Sequence, residues 1–345
     1  MTSRIALDAL GGDNGPGVLI AGAVKAMDRV ESRITLVGDE QRLRDIVRQN
    51  GVSEDAFDYA HAPVVVDMHI KPREALKMKD SSVAVAVGLV KAGQAGAMIS
   101  AGATGATAAH ALFGLGRLEG IKKPAISTLF PTHLRPVLIL DVGATVDCKP
   151  ENLLQFALMG AMYAHEVMGR ENPLVGLLNI GEEDTKGDET TLQAYKLLKE
   201  STLNFGGNAE GNDVLSGKFD VIVCDGFVGN IVLKFGSSVV KFLFSEMKRE
   251  LKRNPIAMLG GLIAKPSLKN LMKRVDKSEM GGAPLLGVNG NCVICHGSSD
   301  AKAISNAIIR AEETIKHNPN AAILKLLKQE EQLLHKAEAF EIANV

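Results

Sequence analysis

Short apolar runs of a few residues alternate along the chain with helix-length amphipathic stretches, and several runs end in Gly or Asp. Arg4 to Leu7, Ile34 to Val37, Ala97 to Ser100, Val137 to Leu140, Leu174 to Leu178 and Val221 to Cys224 read as strands on this pattern. The rhythm constrains the fold strongly, because parallel strands need crossover connections and helices supply them on both faces of the sheet. Ligands of such α/β folds gather at the C-terminal ends of the strands, so chemistry is expected in the loops that follow them. The chain has 345 residues, 46% of them hydrophobic, enough for one large core or two intertwined ones. No repeat or long linker divides it, and a boundary near residue 100 separates two subdomains that share one sheet. With 35 Gly, 4% aromatic residues and no Trp, tight strand-to-helix turns are favoured over aromatic ligand platforms.

Charge and cysteine usage narrow the function classes. The formal net charge is −1, so no global field invites nucleic acid. Met1 to Leu10 enters a β-like run with an early Asp8, unlike an export signal, and no uncharged apolar run approaches the length that spans a bilayer. Cys148, Cys224, Cys292 and Cys295 are then expected to be reduced thiols of a cytoplasmic protein.

The loops after the strands hold the candidate chemistry. Asp8, Gly11, Gly12 and Asp13 follow the first strand and could let backbone approach a substrate, or form an ordinary βα turn. Gly102, Thr104 and Gly105 open an alanine-rich helix whose free N–H groups suit an anion, while close helix packing would select the same small residues. His296, Gly297, Ser298 and Ser299 stand before the helical stretch Ala301 to Ile315, where a hydroxyl serves either as an N-cap worth about 1 kcal/mol or as part of a phosphate cradle. Asn179, Gly181 and Lys186 share a glycine-bounded loop with three acids. Lys186 either stabilises an oxyanion or balances those acids. Asp141 and Gly143, then Asp225, Gly226 and Asn230, place further carboxylates and glycines at strand ends. Cys292 to His296 matches the C-x-x-C-H haem-attachment spacing, but it reads as a buried strand without an export context, and no second pair of Cys or His completes a zinc site. A Walker A loop, H-E-x-x-H, G-x-S-x-G and a clean G-x-G-x-x-G are all missing from the sequence.

One segment breaks the rhythm. From Phe227 to Leu251 apolar residues recur at helical spacing, and Pro255 to Ile263 then sets Ile256, Met258, Leu259, Leu262 and Ile263 around a Gly-Gly turn. Lys248, Arg249, Lys252, Arg253, Lys265, Lys269, Lys273 and Arg274 face a single acid, Glu250, between positions 248 and 274. Residues 228–275 therefore read as a protruding amphipathic helical hairpin, suited to shallow docking on anionic lipid.

Taken in order, DALGGDNGP (Asp8 to Pro16), SAGATGA (Ser100 to Ala106), LDVGATVDCKPE (Leu140 to Glu151), NIGEEDTKG (Asn179 to Gly187), CDGFVGN (Cys224 to Asn230) and GGAPLLGVNG with HGSS resemble the bacterial phosphate acyltransferase family, PlsX. Ala103 and Thr145 depart from the family pattern, which more often carries Asn there. The resemblance implies transfer of a long-chain acyl group from acyl carrier protein to inorganic phosphate, without a cofactor or metal, for a downstream membrane glycerol-3-phosphate acyltransferase. It further implies a homodimer with a three-layer α/β/α fold, like isopropylmalate dehydrogenases and phosphotransacetylases, with subdomains 1–100 plus 290–345 and 101–289. Under it, Lys186 and His296 become the catalytic pair, Gly297, Ser298 and Ser299 hold phosphate, and Lys248, Lys252, Leu259, Leu262, Ile263, Lys265 and Lys269 meet the membrane or the carrier protein. The rival readings are a short-chain acyl-CoA phosphotransacetylase and a non-catalytic scaffold that recruits lipid-synthesis enzymes to the membrane.

Overall fold

The structure, a computed structural model, describes residues 3–335; the last ten positions of the expected 290–345 piece lie outside the described residues. Its first half runs β1 (Arg4–Asp8), α1 (Gly15–Ala26), β2 (Arg33–Gly38), α2 (Glu40–Gln49), β3 (Asp58–His61), α3 (Pro72–Ala75), α4 (Ser82–Lys91), β4 (Ala97–Ser100), α5 (Thr104–Leu115), β5 (Ala125–Phe130), β6 (Val137–Leu140) and α6 (Pro150–Glu166). There follow β7 (Val175–Leu178), α7 (Glu189–Glu200), β8 (Phe205–Ala209), β9 (Val221–Val223), α8 (Gly226–Leu251), α9 (Pro255–Val275), β10 (Ala283–Leu286), β11 (Cys292–Ile294), α10 (Ala301–His317) and α11 (Pro319–Gln329).

All of these strands join one sheet in the order β3-β2-β1-β4-β11-β10-β5-β6-β9-β7-β8. The strands from β3 to β11 are mutually parallel, and so are those from β6 to β8. Between the blocks, β10 is antiparallel to both β11 and β5, and β5 is antiparallel to β6. Those three reversals make the second block run opposite to the first. The C-terminal ends of β1, β4 and β11 thus open on one edge of the sheet, and those of β6, β7 and β9 on the other. The sequence pattern of strand and helix carries no such information.

Helices cover both faces, giving the expected three-layer α/β/α architecture. On one face of the first block, Leu19 and Ile20 of α1 and Ile304 and Ile308 of α10 pack on Ile5, Leu7, Leu36 and Ile99. On the other face, Val83 and Val87 of α4 and Ala106 and Ala111 of α5 close on Ala6, Met98 and Ile294. The second block is centred on α6, which is buried nearly all round, with Phe156 and Tyr163 against Leu140, Val221 and Leu327. A helix apolar on every side needs such an enclosed place.

Helices α8 and α9, consecutive in the chain, leave this core with few buried residues. The turn between them is at residues 252–254, where the Asn254 side chain accepts from the Ala257 amide and Pro255 starts α9. Gly260 and Gly261, expected as the turn, instead ride inside α9, at a propensity cost of roughly 1 kcal/mol each. The cap and the proline set the start of the helix, and two glycines do not override them. By length and mean hydropathy of 1.5, α8 is long and apolar enough to cross a membrane, and only 6% of that window is buried. Lys234 and Lys241 interrupt its apolar residues, so no charge-free run marks it in the sequence.

Candidate active site

Three loops meet at the edge where β1, β4 and β11 end. Asp8 is almost fully buried, and its Oδ1 accepts from the amides of Leu10 and Gly11 at 3.3 and 3.2 Å. Its Oδ2 accepts from the Ser100 hydroxyl at 2.7 Å, and the Ser100 Oγ in turn accepts from the Gly102 amide at 3.0 Å and the Thr107 hydroxyl at 3.4 Å. Asp8 therefore ties two loops together. Ser100 and Thr107 complete this buried network. Ser100 stands within the SAGATGA motif, but nothing local in the sequence distinguishes a linking hydroxyl from a core serine.

The third loop locks onto the first. The Asp13 amide donates to the Gly297 carbonyl at 2.8 Å, and the Asn14 side chain donates to the Ser299 carbonyl at 3.2 Å. Gly12 has φ +96°, and a Cβ there would press within 3.2 Å of the Gly297 carbonyl and 3.3 Å of Ala101. Both the left-handed backbone and the crowding require glycine.

The helix N-termini that converge here differ. The amides of α10 are capped by the Asp300 carboxylate, which accepts from Ala303 at 2.8 Å. This corrects the expectation that Ser298 or Ser299 stands at that helix end: an aspartate already supplies the negative charge that the α10 dipole attracts. No side chain caps α5 or α1. Thr104 and Gly105 are exposed at the start of α5, so its first-turn amides face the open side of the cluster. Between Asp8, Gly11, Ser100, Gly102, Ala103 and Thr107 lies a pocket of about 10 Å³. That holds no more than about one water. An anion the size of phosphate does not fit inside it.

His296 and Ser298 are exposed on the third loop and pair with each other. The Ser298 amide donates to His296 Nδ1 at 3.2 Å, and the Ser298 hydroxyl lies 2.8 Å from the same nitrogen. An amide can only donate, so Nδ1 accepts and the neutral ring carries its proton on Nε2, free for another partner. Cys292 and Cys295 just upstream are buried, and burial pushes both thiols up to about 12.

The second set of expected residues assembles at the opposite edge. Asp141 is fully buried, and its two oxygens accept from the amides of Ile126, Gly143, Ala144 and Thr145 at 2.6 to 3.1 Å. Burial raises its pKa, against the pull of those amides. The Asp225 carboxylate caps α8 through the amides of Phe227 and Val228, the Gly226 amide donates to the Thr145 carbonyl, and Asn230 lies beside Gly143. Asn179 donates to the Lys186 carbonyl and accepts from the Ile180 amide, and Gly181 is buried against the Lys186 stem. The Lys186 ammonium is exposed. Asp141, Asp225 and Asn179 therefore shape their loops, and Lys186 projects from one of them. No hydrogen bond or ion pair joins this cluster to His296, Ser298 or Ser299 among the described residues. Strand direction separates them.

The hairpin residues form a third group. Leu259, Leu262 and Ile263 are exposed on α9, together with Ile256 at 85% exposure. Lys248, Lys252, Lys265 and Lys269 are exposed around them.

The family described as fatty acid synthesis protein matches residues 3–322. A phosphate acyltransferase of Heliobacterium modesticaldum is 51% identical over 322 residues, covering 93% of this chain and 96% of that protein. One of Pelotomaculum thermopropionicum is 48% identical over 316 residues, covering 91% and 92%. Among solved structures, a phosphotransacetylase from Streptococcus pyogenes superposes with a TM-score of 0.64 at 16% identity, covering 91% of this chain and 94% of that one. A branched-chain phosphotransacylase from Enterococcus faecalis V583 does so with 0.57 at 15%, covering 92% and 100%. At such identities these two structures establish the shared fold.

Proposed function

We propose a reaction and a setting for this chain from the premise that it belongs to the phosphate acyltransferase family. It is an enzyme that transfers an acyl group to phosphate in fatty acid and phospholipid synthesis. The reading of its site rests on one observation: three loops converge around an uncapped helix N-terminus, that of α5, with a histidine of defined tautomer on the third of them. A phosphate dianion placed there gains the first-turn amides of α5 and the dipole, worth about 0.3–2 kcal/mol. Ser298 and the His296 Nε2–H can orient its oxygens.

The chemistry needs no covalent enzyme intermediate. A phosphate oxygen attacks the thioester carbonyl, the C–O bond forms, and collapse of the tetrahedral oxyanion breaks the C–S bond. A thiol with pKa near 8.5 is a fair leaving group, and it takes up the proton that phosphate loses. An ammonium that reaches the oxyanion strengthens the transition state more than the ground state. Lys186 is the lysine assigned to that task, and within one chain it stands at the wrong edge of the sheet.

A second copy resolves the mismatch. Ile180, beside Lys186, is 81% exposed, and Val146, Phe227, Ile231 and Phe235 are exposed around the same strand ends. So much apolar surface at one edge suits a homodimer interface. An interface that spans both edges brings Lys186 of one copy to the site that holds His296 of the other.

The donor in this reading is a long-chain acyl carrier protein, and the acyl phosphate passes to a membrane glycerol-3-phosphate acyltransferase. The apolar face of α9 with its ring of lysines docks on anionic lipid, making the enzyme a cytoplasmic, peripherally bound one. In co-sedimentation with vesicles containing phosphatidylglycerol, the wild type is expected to pellet and a Leu259→Glu, Leu262→Glu variant to stay in solution. Equal pelleting would remove the membrane role. Phosphate-dependent loss of carrier-bound thioester separates the reading from a short-chain acyl-CoA enzyme and from a non-catalytic scaffold.

A further inference from the structure

Residues 63–80 cross the mouth of the first loop cluster as a strap. Its inward side is fixed at several points. The Val64 carbonyl accepts from the Ser82 amide at 3.1 Å, and Val66 lines the small pocket. The Met68 methyl and Pro72 Cγ approach so closely that a Cβ on Gly297 or Gly105 would meet them at 2.6 and 3.1 Å. The Ala75 carbonyl accepts from His110 Nε2 on α5 at 3.0 Å. Lys71 and Arg73, on either side of Pro72, therefore flank the uncapped end of α5.

The outward side is different in character. Lys71, Arg73, Lys77 and Lys79 are exposed beside three acids of the strap, Asp67, Glu74 and Asp80, and none of the four cations pairs with a carboxylate among the described residues. Val65, half exposed, adds apolar surface on the strap, as does Phe113 on α5, one turn beyond His110. Unpaired cations beside a few exposed apolar side chains are the makings of a polar rim around an apolar anchor.

We propose that this strap face is the docking surface for the acidic protein that presents the acyl thioester. The inference rests on the carrier-protein reading above. A tethered thioester has to enter beside Gly297 and Thr104, and the strap cations stand at that entrance, whereas the hairpin lysines lie on helices that leave the core. Exposed cations of this kind act on encounter with an acidic partner and on its salt dependence. The hairpin is then left to lipid.

Steady-state kinetics with full-length enzyme, phosphate and a long-chain acyl carrier protein tests the assignment. A Lys71→Glu, Arg73→Glu variant is expected to raise the KM for the carrier by about tenfold or more and to lose its dependence on salt. Lys77→Glu with Lys79→Glu is expected to act in the same direction, and serves if the first pair does not fold. Lys248→Glu with Lys252→Glu is expected to leave the carrier KM at the wild-type value. An unchanged carrier KM in both strap variants overturns the proposal, as does a rise confined to phosphate or an effect carried by the hairpin pair. If the wild type turns over no carrier-bound donor at all, the underlying reading fails and takes the proposal with it.

Discussion

Gly229→Ala is expected to destabilise the protein by about 3–5 kcal/mol or to prevent its accumulation in folded form. The first turn of α8 lies against the loop after β6 so closely that a Cβ on Gly229 would stand 1.9 Å from the Asp141 carbonyl oxygen and 2.9 Å from Cys224 Sγ. Neither neighbour can move cheaply. The Asp141 backbone is held by its amide to the Cys224 carbonyl and by the four amides that its own side chain gathers. Relief therefore means pulling α8 off the loop, which also strains its Asp225 cap and the bond from Gly226 to Thr145. Gly236→Ala, two turns along the same helix, is the control. Its nearest new contact is the Phe130 ring at 3.5 Å, and removing a mid-helix glycine there should gain about 0.5–1 kcal/mol. Urea denaturation midpoints of both variants decide; a Gly229→Ala protein within about 1 kcal/mol of the wild type would refute the close-packing account.

Lys186→Ala and His296→Ala are each expected to lower turnover by about 10²–10³-fold while leaving stability near that of the wild type, because both side chains are exposed. The larger effect lies in their combination. If the lysine acts across the dimer, unfolding the two variants together and refolding them as a mixture rebuilds one complete site in each mixed dimer. Random pairing then restores about a quarter of wild-type activity. If the two residues served the same site from one chain, every site in the mixture would lack one of them and the activity would stay at the level of the single variants. A mixed sample that fails to recover activity rules out the composite site.

The β1, β4 and β6 strands and the long α8 helix were legible because each carries its own signal: an apolar run ending in Gly or Asp, or apolar residues at helical spacing. The reversal of the second block was not. It depends on β5 and β10 entering between the blocks in antiparallel sense, and Ala125–Phe130 and Ala283–Leu286 say nothing locally about their neighbours. For the same reason Lys186 and His296 read as one site, although the topology sends them to opposite edges. At finer scale, hydroxyls before a helix suggested a Ser cap on α10, and the chain used Asp300 one position later. The open end of α5 could be suspected from SAGATGA, because alanine at position 103 has no side chain with which to cap it. The strap at 63–80 has no motif of its own. Its place follows only from Met68 and Pro72 meeting Gly297 and Gly105, contacts far apart in sequence.

The claim that phosphate is the attacking reactant at the α5 terminus is tested most directly by incubating the purified enzyme with long-chain acyl carrier protein, with and without inorganic phosphate. Thioester and hydroxylamine-reactive acyl phosphate are followed together. The expected result is loss of thioester only when phosphate is present, with one acyl phosphate formed for each thioester consumed. Loss of thioester at the same rate without phosphate, or a preserved thioester in its presence, would contradict the account.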